Sequence, residues 1–266
     1  MKYSIFLFVS YLVGLLFSCS HPQESNESSF SVKEINNFNT FIPEYLSEVP
    51  EIILSKGKYN NFSFKNYLID GLVDSNNLKQ GAWVINDISS KLVFRGYYFN
   101  NKKIGQWSIL EGSKLVCCGN YSQNKKQGVW RYLKLYAGTM KFVTYLNDTL
   151  TDLAREYGAD SVLLSDGKFS KGLKDGYWKF YYSNGALKEQ GYFQDNYKSG
   201  WWQKYDTNNK LVEEASYSRN EISGYVKRYL NGILSEEGKQ FNGRRRGAWK
   251  FYDKDGNMKN ISEYDE

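Results

Sequence analysis

The sequence predicts an all-β protein whose elongated, single-layer antiparallel sheet is built from tandem β-hairpin repeats of about 24 residues. Three observations support this fold class. Aromatic residues make up 17% of the chain, and aromatic side chains favour strands. Apolar residues alternate with polar ones in short runs, and this period of two residues is typical of a strand with one buried face. A Gly-x-Trp triplet returns at regular intervals.

One hairpin can be seen in full in the stretch DGYWKFYYSNGALKEQGYF, residues 175–193. Trp178 and Phe180 are two residues apart and therefore share one face of the first strand. Asn184 and Gly185 follow, and this pair predicts a tight type I′ turn, which requires two residues with positive φ. The chain then returns in a second strand rich in aromatic residues.

The Gly-x-Trp triplet marks the repeat. Successive markers are 23 or 24 residues apart, or about twice that where a unit has lost its tryptophan. All seven tryptophans lie in these triplets, so we assign the triplets a structural role. The repeat-structural residues are Gly81, Trp83, Gly105, Trp107, Gly128, Trp130, Gly176, Trp178, Gly200, Trp202, Gly247 and Trp249.

A second position supports the repeat, because an aromatic residue follows about 15 positions after most marker tryptophans. The two units without tryptophan keep it, as Phe169 and Phe241. We therefore expect a repeat domain at 57–266 with about nine units, degenerate at 146–175. A single unit is too small to bury its own aromatic rows, so neighbouring units must stack to be stable.

The N-terminus has the pattern of an export signal. A basic start is followed by an apolar run over residues 5–17, which is long enough for a signal-peptide core and short for a membrane span. The run ends in Leu-Phe-Ser-Cys, which resembles a lipobox with Cys19 as the lipidated residue. We expect a lipoprotein signal peptide at 1–18, a flexible tether at 19–40 and an N-terminal cap at 41–56. Ordinary secretory cleavage and an uncleaved anchor are the alternatives.

Gly-x-Trp, a Tyr-rich strand, an Asn-Gly turn and a closing Tyr or Phe together resemble the MORN-repeat family, and most closely its bacterial, antitoxin-like variant. The likeness is strongest at 176–266, clear at 81–145 and poor at 146–174. The resemblance implies consecutive antiparallel hairpins, and scaffolding or partner binding instead of catalysis.

Few residues in the chain are suited to catalysis. The sole histidine, His21, lies in the tether, and no metal-binding, phosphate-binding or nucleophile motif is present. The pairs Glu213 with Glu214 and Glu236 with Glu237 are adjacent on strands, so their side chains diverge. We therefore expect no enzyme activity, no cofactor and no metal.

The other two cysteines, Cys117 and Cys118, are also adjacent, which disfavours a disulfide between them. Two small hydrophobic residues in a sheet are the simpler interpretation, and a redox or metal role is the alternative.

Basic residues recur in the turns between units, and a ridge along one edge of the sheet is their functional interpretation. The candidate partner-binding residues are Lys125, Lys126, Arg244, Arg245 and Arg246. Such a ridge suits an anionic lipid, an acidic glycan or a protein. The alternative is that turns are generally polar and that a lysine at these positions belongs to the repeat consensus without any binding role. A net charge of +6 is mild for this length, so we expect no nucleic-acid partner.

The sequence thus favours a lipid-anchored scaffold of the cell envelope, at the outer membrane of a Gram-negative bacterium, that contacts a membrane through its lipid and an unidentified protein. The first alternative is a glycan- or cell-wall-binding module, and the second is an antitoxin or immunity partner. Aromatic side chains in excess of one core would form an exposed groove, although core packing explains most of them.

Overall fold

In the computed structural model of the chain, the described residues are 48–133 and 138–265. The predicted signal peptide, Cys19, the tether and the first part of the predicted cap lie outside them. The described residues form nineteen strands of one sheet, and no helix among them is long and apolar enough to cross a membrane.

The strands are β1 (Gly57–Phe64), β2 (Tyr67–Val73), β3 (Lys79–Asp87), β4 (Leu92–Phe99), β5 (Lys102–Glu111), β6 (Lys114–Ser122), β7 (Lys125–Tyr132), β8 (Met140–Leu146), β9 (Thr149–Tyr157), β10 (Leu163–Ser170), β11 (Leu173–Lys174), β12 (Gly176–Tyr181), β13 (Leu187–Gln194), β14 (Tyr197–Tyr205), β15 (Leu211–Ser218), β16 (Glu221–Leu230), β17 (Ile233–Phe241), β18 (Arg244–Tyr252) and β19 (Met258–Tyr264).

Each strand pairs antiparallel with the next one along the chain. β11 and β12 are two pieces of one strand, since both pair with β10 and only Asp175 separates them. The result is one open sheet of consecutive hairpins, which confirms the predicted fold class.

The core of the sheet is one row of side chains that crosses the strands and alternates small with large residues. We call the face that carries this row the tryptophan face. A Cβ added at Gly191 would lie 2.4 Å from the Trp202 ring, so only glycine lets the indole lie flat on the neighbouring strand. In strand order the row is Gly71, Trp83, Gly96, Trp107, Gly119, Trp130, Val143, Ala154, Gly167, Trp178, Gly191, Trp202, Ala215, Val226, Gly238 and Trp249.

The closing aromatic residues join the tryptophans edge to face. Phe193 contacts Trp178 with ring centroids 6.1 Å apart and Trp202 with centroids 5.0 Å apart. Tyr98 lies in the same way between Trp83 and Trp107. This is the favoured geometry for aromatic pairs, worth about 0.5–1.5 kcal/mol each beyond area burial.

The glycine of each Gly-x-Trp triplet makes a β-bulge. Gly200 has φ +68° and no atom within 4 Å of an added Cβ, so backbone conformation and not space requires glycine there. The bulge shifts the pairing between β13 and β14, and the indole N–H of Trp202 donates to the Tyr192 carbonyl oxygen at 3.0 Å. Trp107, Trp130, Trp178 and Trp249 each donate to the carbonyl ten residues earlier in the same way.

The units without tryptophan continue the row with aliphatic residues. In the segment predicted to be degenerate, 146–175, Ala154 takes the tryptophan position, and its partner Val143, just before that segment, takes the glycine position. Asp152, with φ +52°, takes the bulge position. Both strand pairings of β9 continue through this segment. Further along, Ala215 takes the glycine position and Val226 the tryptophan position, so the small and large order is kept there.

Most turns between units have two residues with positive φ, as does the Asn231–Gly232 turn within a unit. Asp195 and Asn196 have φ +50° and +69°, as a type I′ turn requires. The Asn196 side chain then accepts a hydrogen bond from the backbone N–H of Lys174, one unit earlier, at 2.6 Å. Asn101, Asn124, Asp148 and Asn220 make the same link.

The predicted type I′ turn at Asn184 and Gly185 is wrong. Only Gly185 of this pair has positive φ, at +82°. Its N–H donates to the Tyr182 carbonyl at 2.9 Å, as in a type I turn followed by a left-handed residue. The side-chain oxygen Oδ1 of Asn184 instead accepts from the Ala186 N–H at 3.0 Å, so this asparagine stabilises the turn with its side chain.

Phe241 is not the closing aromatic of its unit. The register pairs Gly224 with Gln240, where other units pair the bulge glycine with an aromatic, as in Gly200 with Tyr217. The unit is one residue shorter than its neighbours, and counting 15 positions from Val226 therefore overshoots. Phe241 lies on the other face, 40% exposed.

Candidate functional site

The face opposite the tryptophan face carries a row of exposed aromatic rings, and this row is the candidate contact surface. We define the ring platform as Tyr177, Tyr192, Trp201 and Tyr225. These side chains are 40%, 56%, 41% and 51% exposed. They extend from β12, β13, β14 and β16, so they follow one another across the sheet.

Strand alternation explains why these rings face away from the core. Each platform residue is adjacent in sequence to a residue of the core row, as Trp201 is to Trp202, and successive side chains point to opposite faces. Tyr177 pairs directly with Tyr192, and their ring centroids are 5.0 Å apart. Six of the seven tryptophans are at most 1% exposed, which leaves Trp201 as the single accessible indole.

A ladder of polar side chains runs beside the platform and fixes its surface. The Gln190 amide donates to the Gln203 Oε1 at 2.8 Å, and the Gln203 amide donates to the Glu214 Oε1 at 2.8 Å. The Tyr229 hydroxyl donates to the other Glu214 oxygen at 2.8 Å. Burial opposes ionisation of Glu214, but these hydrogen bonds outweigh it and lower the pKa of this carboxyl.

A basic cluster adjoins the platform at its C-terminal end. We define it as Lys239, Arg244 and Arg246. Lys239 pairs with Tyr225 on one side and with Arg246 on the other, and its ammonium lies 6.0 Å from the Tyr225 ring centroid. Among the described residues, no carboxylate forms an ion pair with these three cations. Arg246 donates to the backbone carbonyl of Asp265 at 3.0 Å.

The five predicted partner-binding residues divide between the two faces, because neighbouring residues on a strand alternate. Lys126 and Arg245 lie on the tryptophan face, and Lys125, Arg244 and Arg246 lie on the opposite face. They therefore do not form one ridge. Arg245 has a structural role, because its guanidinium lies 4.4 Å from the Trp249 ring centroid and 2.6 Å from Glu236.

Arg245 and Lys126 belong to a repeated structural device. Two residues before the bulge glycine, each tryptophan unit has a cation packed over the rings, and Lys198 lies 4.2 Å from the Trp202 ring centroid. Burial lowers the pKa of Lys79, Lys103, Lys126 and Lys198, and that of Lys174 to about 8. The units without tryptophan have Leu150 and Ile222 there, so the cation accompanies the indole.

The acidic pairs and the cysteines also divide between the faces. Glu213 and Glu236 lie on the tryptophan face, where Arg228 contacts both, at 3.3 and 2.7 Å. Cys117 and Cys118 are both buried in the sheet. Burial raises the pKa of the Cys117 thiol, which makes it a poor nucleophile.

The predicted N-terminal cap is described from residue 48 onward. Ile52 is buried. Residues 49–54 line a cavity of about 430 Å³ together with Lys79, Tyr98 and Lys103, whose side chains lie on the tryptophan face. Within the described residues, no group of histidine, cysteine and acidic side chains is placed to hold a metal ion.

The ring platform was not among the residues singled out from the sequence, although a signal for it is present. The middle residue of the triplet is aromatic in three successive units, as Tyr177, Trp201 and Tyr225. In the other units from residue 81 onward it is Ala82, Gln106, Val129, Leu153 or Ala248.

The fold and this surface define a class of protein, an open sheet of tandem hairpins with a structural core row and a separate exposed face. A family model described as MORN repeat variant matches residues 174–195 and 245–266. The first match covers Tyr177 and Tyr192 of the platform, and the second covers Arg246. Repeats of this family are generally involved in protein or membrane binding. No curated protein matches the chain.

Proposed function

We propose that the chain is a non-catalytic binding scaffold of a bacterial cell envelope, and that its contact surface is the ring platform with the basic cluster beside it. The observation that supports this most directly is the exposure of four large rings on a face that the core does not use. Exposed aromatic patches on an otherwise well-packed protein are typical of interaction sites.

We also propose that Cys19 carries a lipid. The sequence before this residue resembles a lipobox, and acyl chains on Cys19 would hold the sheet at the outer membrane of a Gram-negative cell. The tether at 19–40 would then separate the sheet from the lipid.

Fractionation of cells that express the full chain tests the anchor. We expect the wild-type protein in the membrane fraction, labelled by a clickable palmitate analogue, and the Cys19→Ala variant unlabelled and released from the membrane. A Cys117→Ala variant is the matched control, because Cys117 lies in the sheet core, and it should remain labelled. Equal labelling of wild type and Cys19→Ala would overturn the lipid anchor.

Binding to an envelope fraction tests the contact surface. We expect the full chain, purified in detergent, to bind isolated envelopes saturably, and Trp201→Ala to bind at least tenfold more weakly. Tyr97→Ala is the control, because Tyr97 is 55% exposed on the same face and lies outside the platform. If Trp201→Ala and Tyr97→Ala behave alike, the platform is not the contact surface.

A further inference from the structure

The ring platform has a chemistry that distinguishes it from a general apolar patch. All four members are Tyr or Trp, and each has a polar atom on its ring system. Rings on β12, β14 and β16 recur every second strand, which is roughly 10 Å. This interval is close to the length of a disaccharide in an extended polysaccharide.

Sugar rings are suited to such a surface. A pyranose presents a face of C–H groups, which carry partial positive charge and pack favourably against the negative face of an aromatic ring. The hydroxyl groups at the sugar edge need hydrogen-bonding neighbours, and the ladder of Gln190, Gln203 and Glu214 runs alongside. Each Glu214 oxygen accepts one hydrogen bond within the ladder, which holds this side chain in place. A carboxylate oxygen has a second lone pair, with which it can accept a hydrogen bond from a sugar hydroxyl.

The basic cluster favours a ligand that carries negative charge. Lys239 and Arg244 are exposed, and with Arg246 they place three cations next to the last ring of the platform. No ion pair within the described residues neutralises them. A ligand that continues from the rings across β17 and β18 therefore meets positive charge, and carboxylates on that ligand would complement it.

We propose that the ring platform and the basic cluster together bind an extended polysaccharide that carries carboxylate groups. This inference rests on the proposed scaffold function and names the class of its partner. The surface from Tyr177 on β12 to Arg246 on β18 covers six strand spacings, roughly 29 Å, which fits a polymer and exceeds what a small ligand needs.

A protein partner matches this surface less well. The buried centre of a protein interface is contiguous and depleted of charge. Here Ser216 separates Trp201 from Tyr225 along the row, and a lysine follows Tyr225 directly. Separated rings bounded by cations favour repeated, spaced contacts with a polymer.

Titration calorimetry with polyuronates tests the inference. The full chain in detergent is titrated with polygalacturonate and with polymannuronate, which differ in linkage stereochemistry, and with the methyl-esterified form of each. We expect saturable binding of at least one polyuronate and at least tenfold weaker binding of its ester, since esterification removes the charge and keeps the sugar chain. Binding should change the fluorescence of Trp201.

Variants separate the two parts of the site. Trp201→Ala should weaken polyuronate binding at least tenfold, and Lys239→Gln with Arg246→Gln should weaken it while leaving the affinity for the ester unchanged. Tyr97→Ala and Lys102→Gln, which alter residues outside the site, should bind as wild type does. Absence of binding to both polyuronates, or binding that Trp201→Ala or esterification leaves unchanged, would overturn the inference.

The failure of this inference is distinguishable from failure of the scaffold function. If envelope binding depends on Trp201 and no polyuronate binds, the polysaccharide assignment is wrong and the scaffold has another partner, such as a protein. If envelope binding does not depend on Trp201, the platform itself is not the contact surface.

Discussion

Glycine serves two different purposes in this sheet, and the two differ in physical origin. Glycines of the core row, such as Gly191, have no room for a Cβ because an indole lies on them. Bulge glycines, such as Gly200, have open space around the Cβ position and a left-handed backbone. The first kind is fixed by packing and the second by φ.

This difference predicts unequal effects of the same substitution. Gly191→Ala should lower the free energy of unfolding by about 2–4 kcal/mol, because the methyl group would force the Trp202 ring away from the strand. Gly200→Ala should cost about 1–2 kcal/mol, the expense of a left-handed alanine. Urea unfolding of the full chain, followed by the fluorescence of the buried tryptophans, measures both.

Gly200→Asn provides the control. Asparagine tolerates the left-handed region, and Asp152 already occupies the equivalent position with φ +52°. This variant should therefore lose less stability than Gly200→Ala. A Gly191→Ala protein as stable as Gly200→Ala would show that the core row is looser than the structure indicates.

The sequence predicts the bulge glycines better than the row glycines. A bulge glycine lies two residues before a tryptophan, so the triplet is visible locally. A row glycine such as Gly191 is 11 residues before the tryptophan that covers it, Trp202, and only the pairing of two strands connects them.

At the scale of the hairpin, paired residues on neighbouring strands compete for one shared space in the row. Val143 and Ala154 pair directly and replace the usual glycine and tryptophan. The larger residue has moved by one strand, which explains how a unit without its markers continues the sheet. Periodicity alone could not show this, because the compensation involves two residues on different strands.

The exchange predicts a strong coupling between the two positions. Ala154→Trp alone should destabilise the protein by about 2–3 kcal/mol, because the indole meets the Val143 side chain. Val143→Gly alone should cost about 2–4 kcal/mol through a cavity and a strand glycine. The double variant restores the glycine and tryptophan order of the other units, so its loss should fall at least about 2 kcal/mol short of the sum.

Equilibrium unfolding of the four proteins in this cycle measures the coupling. Additive losses, within about 0.5 kcal/mol, would mean that the two side chains do not compete for the same space. Gly167→Ala in the Ala154→Trp background is a useful comparison, because Gly167 adjoins the same row position from the other side.

Nearby residues in the sequence predict the position of a turn better than its type. Alternation and the Asn-Gly pair were enough to predict a hairpin at 175–193, and the hairpin exists as β12 and β13. The turn type was wrong because an Asn-Gly pair suits more than one turn. Type I′ turns lie between most units, at pairs such as Asp195 with Asn196, and one lies within a unit, at Asn231 and Gly232, which have φ +54° and +85°.

For the whole molecule, the main consequence of the fold is that each strand pairs with the strands beside it. Side-chain contacts, such as that of Phe180 on β12 with Trp202 on β14, also reach into the next unit. The candidate site follows the same rule, since its rings come from successive units and become one surface only after the sheet forms. The sequence therefore predicts the repeat and its period, and it does not reveal that the middle residues of three triplets form an exposed row. Which face is covered depends on the packing of the entire row.

Nearest-neighbour architecture predicts that one complete unit can be removed. Deletion of residues 172–195 joins Lys171 to Asn196, which have φ +49° and +69° and so suit a type I′ turn. Trp202 would then lie on Gly167, as Trp178 does now. We expect this variant to keep its strand content by far-ultraviolet circular dichroism and its buried tryptophans by near-ultraviolet circular dichroism.

Deletion of residues 184–195 is the matched control, because it removes one strand instead of two. The following strands must then reverse direction to stay antiparallel, and reversal exchanges their two faces. The core row beyond the deletion would be moved to the opposite face and separated from Trp178, so we expect loss of the near-ultraviolet signal and aggregation. If both deletions fold, the row does not fix the face of the sheet, and if neither folds, the units depend on contacts beyond their neighbours.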